Sequence, residues 1–289
     1  MAGVFSKLVP SIASAYGLQT LFALIFVPQQ NDVFYDFGGA CGYLSTAYLS
    51  LYYPALKARF WNGSTAALPA LSSFAPRQLL LSAALGIWSA RLGTYLASRA
   101  IKAGGDSRFE EIKKQPQKFT YYWIAQATWI MLVGFPVYLA NALPPSAHAP
   151  LGIRDYAGLA LFASSFVLEV AADMQKHRWR KARDNKQHDE RFISSGLWSI
   201  SRHPNYLGEL GIWTGIWTLS TTGFQRTTLL PRWTPALALI SPLFTYFLLR
   251  YVSGVPPLER QGEKRHGSDP KYQEYKRTVP VFWPWGGYE

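Results

Sequence analysis

Polar side chains able to bind an anion are concentrated between residues 201 and 209, where an apolar stretch begins. The segment contains Arg202, His203, Pro204, Asn205, Tyr206 and Glu209. Proline suits the first turn of a helix, because its missing N–H costs nothing there. The side chains at 202, at 205 or 206, and at 209 then share one face. A helix N-terminus beside an arginine and a histidine predicts an anion site; the alternative is a capped helix entry with a snorkelling arginine.

A second group of charged side chains lies along a stretch that is otherwise apolar. Glu169 and Asp173 are four residues apart, and Lys176 and Arg180 continue the same helical face. Arg91 is likewise placed within an apolar stretch. Charged groups inside a membrane span are costly and therefore candidates for function. An ion-pair ladder along one helix explains the stripe equally well, so both interpretations stay open.

Several kinds of site are excluded or unsupported by the sequence. The single cysteine, Cys41, excludes an intramolecular disulfide and a cysteine-based metal cluster. His177, His188 and His266 lack metal-ligand spacing, so no metal site is predicted. The sequence has no glycine-rich dinucleotide fingerprint, Walker loop, zinc-protease motif or nucleophile elbow. A bound nucleotide would have to be held by loops and helix ends.

Composition identifies the class of protein that must position these residues. Of the 289 residues, 49% are hydrophobic and 16% charged, with a formal net charge of +12. Long apolar runs distinguish the chain from a basic nucleic-acid-binding protein, so no nucleic-acid partner is expected.

Seven runs are about long enough to cross a bilayer, near 11–27, 34–54, 75–97, 121–141, 156–175, 206–222 and 235–252. We predict an all-α polytopic membrane protein, with one bundle of about seven transmembrane helices forming a single domain over 1–289. Gly211 and Gly215 predict close helix packing within it.

The connecting loops differ sharply in charge. Most of the 29 lysines and arginines lie at 99–118, 176–202 and 250–277, and seven spans place these regions on the same side. The positive-inside rule predicts a cytosolic C-terminus, although the short first connection carries Asp32 and Asp36 without a basic residue. The Asn62-Gly63-Ser64 sequon in an outer loop favours the endoplasmic reticulum membrane.

Four sequence blocks together resemble the steroid 5α-reductase C-terminal-like family of membrane proteins. They are Glu169-x-x-Ala172-Asp173-x-Gln175-Lys176, then Gly196-Leu197-Trp198-x-x-Ser201-Arg202-His203-Pro204-Asn205-Tyr206-x-Gly208-Glu209, then Ser253-Gly254-Val255-Pro256-x-Leu258-Glu259, and finally Tyr272-x-x-Tyr275-Lys276-x-x-x-Pro280. The resemblance covers about 89–285. It implies a seven-helix bundle with NADPH in a pocket open to the cytosol. It also implies hydride transfer to a carbon–carbon double bond, conjugated to a carbonyl, in a sterol-like or other lipid substrate.

The resemblance also implies which residues bind the cofactor. The predicted contacts are Arg91, Asp173, Lys176, Arg180, Arg202, His203, Asn205, Tyr206, Glu209, Glu259 and Tyr275, the last two in a tail that resembles a lid. The steroid reductases use a tyrosine on the third span and a glutamate on the second as proton donors. Here Trp88 occupies the nearest tyrosine position, and the second span has no glutamate. The catalytic residue is therefore open; Tyr95 and Tyr122 are the candidates, and Tyr43 and Tyr48 are further possibilities.

Two other functions fit parts of the same pattern. Membrane isoprenylcysteine and phospholipid methyltransferases carry a similar Arg-His-Pro-x-Tyr-x-Gly block, which binds S-adenosylmethionine. Against them stand Glu209, the Glu259-Arg260 pair where two glutamates are expected, and a basic fifth connection suited to a 2′-phosphate. A lipid-binding membrane protein without enzyme activity is the third hypothesis. We favour the reductase, with a hydrophobic sterol or lipid substrate and membrane lipid as its partners.

Overall fold

The computed structural model describes residues 4–103 and 109–282, and every regular element in those ranges is helical. The predicted all-α fold class is therefore confirmed for the described part of the chain. The helices are α1 (Val4–Phe26), α2 (Tyr35–Trp61), α3 (Pro76–Ala103), α4 (Pro116–Asn141), α5 (Ile153–Asp184), α6 (Pro204–Arg226), α7 (Thr234–Ala238), α8 (Ile240–Phe247), a π-helical turn (Leu248–Val252), α9 (Val255–His266) and α10 (Pro270–Thr278).

Five helical segments in the described residues are long and apolar enough to cross a membrane. They are Ser6–Phe26, Pro76–Ser98, Pro116–Asn141, Ile153–Asp184 and Thr234–His266. This is compatible with a multi-pass membrane protein. The predicted spans at 34–54 and 206–222 do form continuous helices, α2 and α6, but these lack the same apolarity. The count of about seven therefore stays a prediction.

The last predicted span, 235–252, is not one uninterrupted α-helix. It consists of α7, α8 and the π-helical turn, with a change of geometry at Leu239 and again at Leu248. Gly254 follows the turn, and a side chain there would approach the Leu249 carbonyl oxygen to 2.5 Å. Only a glycine fits so close to the backbone. The irregular turn and Gly254 together set the direction in which α9 leaves α8.

The chain divides into two compact units. The first comprises Met1–Tyr156 and Ile216–Ser241, and the second comprises Ala157–Gly215 and Pro242–Glu289. Two such units are compatible with one membrane domain over 1–289, which stays a prediction.

Amide side chains join the helices in the interior of the first unit. Gln126 on α4 donates to the Gln19 side chain on α1 at 3.1 Å and to the Tyr35 carbonyl at 2.9 Å. Gln19 in turn donates to the Gly38 carbonyl on α2 at 2.9 Å. Hydrogen bonds of this kind connect membrane helices, because lipid offers these groups no other partner.

A buried ion pair closes one end of the first unit. Arg77, at the start of α3, contacts both carboxylate oxygens of Asp155 at 2.8 and 2.9 Å, and both side chains are only 1% exposed. Arg77 also donates to the carbonyls of Ala149 and Pro150, in the loop before α5. Burial, together with the neighbouring Arg77 charge, lowers the pKa of His148 to about 4. His148 is therefore neutral near pH 7 and adds no second positive charge beside Arg77.

In the second unit, α5 and α6 pack through glycines. A Cβ atom on Gly208 would lie 2.8 Å from the backbone nitrogen of Glu169, and one on Gly215 would lie 2.6 Å from that of Phe162. A Cβ on Gly211 would collide with Ser165. The close packing predicted for Gly211 and Gly215 is thus confirmed. Gly208 extends the seam to the end of α6 that begins with Pro204.

We expect Gly208→Ala to lower the free energy of unfolding by about 1–3 kcal/mol, because the new methyl group would force the two helix backbones apart. Thermal unfolding in detergent measures the change. Gly17→Ala on α1 is the matched control, since a Cβ there meets nothing within 4 Å. Alanine favours a helix interior over glycine, so the control should be at least as stable as the parent. Equal melting temperatures for the two variants would contradict the close packing at Gly208.

Candidate functional site

A tight turn in the second unit connects α5 to the segment that precedes α6. Gly196 begins a short 3₁₀ turn, Gly196–Ser199, with a φ of +61°, a conformation that glycine adopts without strain. Gln175 on α5 accepts a hydrogen bond from the Leu197 N–H at 3.0 Å. The Trp198 indole donates to the Ala172 carbonyl at 3.2 Å. These bonds fix the turn against α5.

The C-terminal part of the second unit folds back onto residues 201–203. The Arg202 N–H donates to the Pro280 carbonyl, and the Ser201 hydroxyl donates to the Val281 carbonyl, both at 2.9 Å. The Tyr275 hydroxyl donates to the Trp198 carbonyl at 2.7 Å. Burial raises the pKa of Tyr275 above its ordinary value, so its hydroxyl remains a hydrogen-bond donor at neutral pH. Segment 279–282 and α10 therefore cover the entry to α6.

The centre of the site is a group of three side chains, two of them buried and one half-buried. Glu259 on α9 accepts from Arg202 Nη1 at 2.9 Å, and its other oxygen lies 2.9 Å from His203 Nε2. The side chains of Arg202 and His203 are 3% and 6% exposed, and that of Glu259 is 23% exposed. The His203 ring stacks on Tyr206, with an interplanar angle of 8°. Burial lowers the pKa of His203, and Glu259 opposes this shift, so the imidazole is neutral near pH 7.

Other predicted residues lie around this centre in the second unit. Asn205 donates to Asp173 at 3.3 Å, joining α6 to α5. Glu209 accepts from the Trp213 indole within α6 at 2.8 Å. The Lys176 ammonium lies 4.2 Å from the centre of the Trp198 ring, where a cation is attracted by the ring face. Arg180 lies further along α5 and is exposed. Ten of the eleven predicted cofactor contacts thus belong to this unit.

The remaining predicted residues belong to the first unit. Arg91 and Tyr95 lie together on α3, with the guanidinium 5.6 Å from the ring centre. Tyr122 on α4 packs against Phe109. Tyr43 is buried and Tyr48 is half exposed. Of these four tyrosines, only Tyr43 lines the unit's small cavity of about 30 Å³.

Sequence reasoning did not identify one aromatic group in the second unit. Phe192, from the connection between α5 and α6, contacts Tyr272 and Tyr275 on α10, with ring centres 5.1 and 5.5 Å apart. It also lies beside His266. Phe192 is a single aromatic residue in a charged loop, so no sequence signal marked it. Its packing holds α10 against the same connection that carries the basic residues.

Comparison with known proteins shows one family and one relative. The family described as "Protein of unknown function (DUF1295)" matches residues 58–279. Over 166 residues the chain is 30% identical to the uncharacterized protein C594.04c of Schizosaccharomyces pombe, a match that covers 49% of this chain and 48% of the relative. The chain therefore spans about half the length of the curated relative that it matches. No solved structure matches the chain.

Proposed function

We propose that this chain, which belongs to the family of proteins of unknown function DUF1295, is an NADPH-dependent membrane reductase. Its substrate would be a hydrophobic lipid or sterol-like molecule with a carbon–carbon double bond conjugated to a carbonyl. The proposal includes the finer expectations drawn from the steroid 5α-reductase resemblance: about seven spans, an endoplasmic reticulum membrane and a cytosolic C-terminus. The observation that carries it is the Arg202–His203–Glu259 group, with its arginine and histidine buried, beside the Asp173–Asn205 pair.

The residues of this site fit a phosphorylated dinucleotide in their chemistry. His203 Nδ1 is buried and, within the described part of the chain, has no hydrogen-bond partner. Asp173 and Asn205 offer acceptors and donors for ribose hydroxyls and an amide. Lys176 and Arg180 supply positive charge on α5, and an arginine fork matches phosphate geometry. A buried polar group without a ligand is costly, which favours a binding role over a purely structural one.

The chain's own part in the reaction would be binding, orientation and proton supply. NADPH, when bound, supplies a hydride. Arg202, His203, Asn205 and Asp173 would orient the nucleotide, while α9 and segment 279–282 exclude water from the site. Reduction of an enone also requires a donor at the carbonyl oxygen, where negative charge develops. Tyr95 and Tyr122 stay the candidates for that donor, with Tyr43 and Tyr48 as further possibilities.

Ligand-dependent thermal stability of the detergent-purified protein tests the proposal. A ligand that binds only the folded state raises its apparent stability, so NADPH should raise the melting temperature more than NADH at the same concentration. Turnover would then be measured as NADPH oxidation with a panel of conjugated enone lipids. Stabilisation by S-adenosylmethionine instead would support a lipid or prenylcysteine methyltransferase. No response to any of the three would favour the non-enzymatic lipid-binding protein.

A further inference from the structure

The Glu259 carboxylate determines where His203 carries its proton. One oxygen accepts from Arg202 Nη1 and the other lies 2.9 Å from His203 Nε2. A carboxylate paired with a guanidinium is ionised and can only accept hydrogen bonds. His203 must therefore donate from Nε2. In a neutral imidazole, donation from Nε2 leaves the lone pair on Nδ1.

The surroundings of the ring favour the neutral form. His203 is 6% exposed, stacks on Tyr206 and follows the arginine that already shares Glu259. Burial lowers its pKa below the ordinary value. Its Nδ1 atom is thus a hydrogen-bond acceptor, and no described residue supplies a donor to it. A buried acceptor of this kind is costly unless an N–H or O–H group donates to it.

We infer that Glu259 is a positioning residue that fixes His203 as a hydrogen-bond acceptor, and that Nδ1 receives an N–H or O–H of the ligand. This inference rests on the proposed function for the identity of the ligand, in which the donor is the nicotinamide carboxamide or a hydroxyl of the nicotinamide ribose. A phosphate does not fit there, because the Nδ1 lone pair repels an anion and Glu259 already balances the Arg202 charge. The phosphates are left to cations elsewhere in the second unit, such as Lys176 and Arg180 on α5.

The same arrangement implies that residues covering His203 Nδ1 move when a ligand binds. Nδ1 is closed off from solvent, and segment 279–282 is bonded to Ser201 and Arg202. A ligand group therefore reaches Nδ1 only when a neighbouring segment moves, and we expect that segment to be 279–282, because α9 carries Glu259 and must stay against His203. The hydrogen bonds to Pro280 and Val281 are the contacts that such an opening must break.

The tautomer of His203 can be measured directly. The protein would be labelled with ¹⁵N-histidine in detergent, and the His203 signals, among five histidines, assigned with a His203→Gln variant. At neutral pH we expect one tautomer, protonated on Nε2 and unprotonated on Nδ1. Glu259→Ala should give a mixture of tautomers. Glu263→Gln, one turn further along α9 and paired with Lys276, should leave the His203 signals unchanged. A proton on Nδ1 in the parent protein would overturn the inference.

Nucleotides then test the second part of the inference, that Nδ1 receives an N–H or O–H of the ligand. NADPH should move the Nδ1 resonance upfield, whereas adenosine 2′,5′-bisphosphate should leave it in place. The reduced 3-acetylpyridine analogue of NADPH lacks the amide N–H. A shift with NADPH but not with this analogue identifies the carboxamide, and a shift with NADPH and with the analogue identifies a hydroxyl of the nicotinamide ribose. Thermal stabilisation by NADPH with an unmoved resonance would overturn this inference and leave the proposed function intact. The expected tautomer without stabilisation by NADPH would overturn the proposed function and leave the role of Glu259 standing.

Discussion

Replacing Arg77 by methionine is expected to lower the free energy of unfolding by about 3–5 kcal/mol, the cost of removing one partner from a buried ion pair. The variant would leave the Asp155 carboxylate, 1% exposed, without the guanidinium that contacts both of its oxygens. The carbonyls of Ala149 and Pro150 would lose a donor as well. Chemical or thermal unfolding in detergent measures the effect.

Two further variants separate lost charge pairing from lost packing. Arg154→Ala removes an exposed arginine that is next to Asp155 in sequence and donates to the Gln225 side chain; we expect a change within about 0.5 kcal/mol. Arg77→Met combined with Asp155→Leu removes both buried charges, and such replacements are often neutral. The double variant should therefore be more stable than Arg77→Met alone. A double variant as unstable as Arg77→Met would mean that the charges are not the cause.

Arg202→Gln combined with Asp173→Asn is expected to weaken NADPH binding by about 100-fold or more. Hydrogen bonds to charged groups each contribute about 1.5–3 kcal/mol, and tenfold in affinity corresponds to about 1.4 kcal/mol. Both changes keep the approximate size of the side chain, and each removes a charge from a contact between two elements of the second unit. Titrating NADPH against the melting temperature of the variant and the parent measures the loss.

The matched control for this pair is Arg178→Gln. Arg178 is exposed on α5, in the same basic stretch as Lys176 and Arg180, so its loss changes the net charge without touching the buried group. We expect NADPH affinity within a few-fold of the parent, since exposed charges contribute little. Circular dichroism without ligand would establish that each variant is folded. Unchanged NADPH affinity in the folded Arg202→Gln, Asp173→Asn variant would show that the site is assigned wrongly.

Local features of the sequence predicted much of this structure. Apolar runs of membrane length predicted the long helices, and Pro204 predicted the start of α6. The spacing of Asp173 from Lys176 and of Arg202 from Glu209 predicted groups that the structure places in one unit. The small residues Gly211 and Gly215 predicted a close helix contact. Each of these signals depends on residues within a few turns of one another, where helical geometry alone fixes the arrangement.

Pairings between distant residues could not be read in the same way. Arg77 and Asp155 are 78 residues apart, and Arg202 and Glu259 are 57 apart. Which buried cation meets which buried anion depends on how helices pack, and helical periodicity does not contain that information. The π-helical turn at Leu248–Val252 lies at the end of a predicted span and was missed. Hydropathy reports whether a segment suits lipid, and it is insensitive to the hydrogen-bond register inside the segment.

Two hydrogen bonds, from the Ser201 hydroxyl to the Val281 carbonyl and from the Arg202 N–H to the Pro280 carbonyl, bear on the order in which the structure forms during synthesis. Segment 279–282 is synthesised after every candidate transmembrane helix, the last of which ends at His266. The site around Arg202 is therefore completed only after all the candidate transmembrane helices have been synthesised, when the late segment docks onto residues translated some 80 positions earlier. A chain that ended between His266 and Pro280 would contain every candidate transmembrane helix and would still leave the site open.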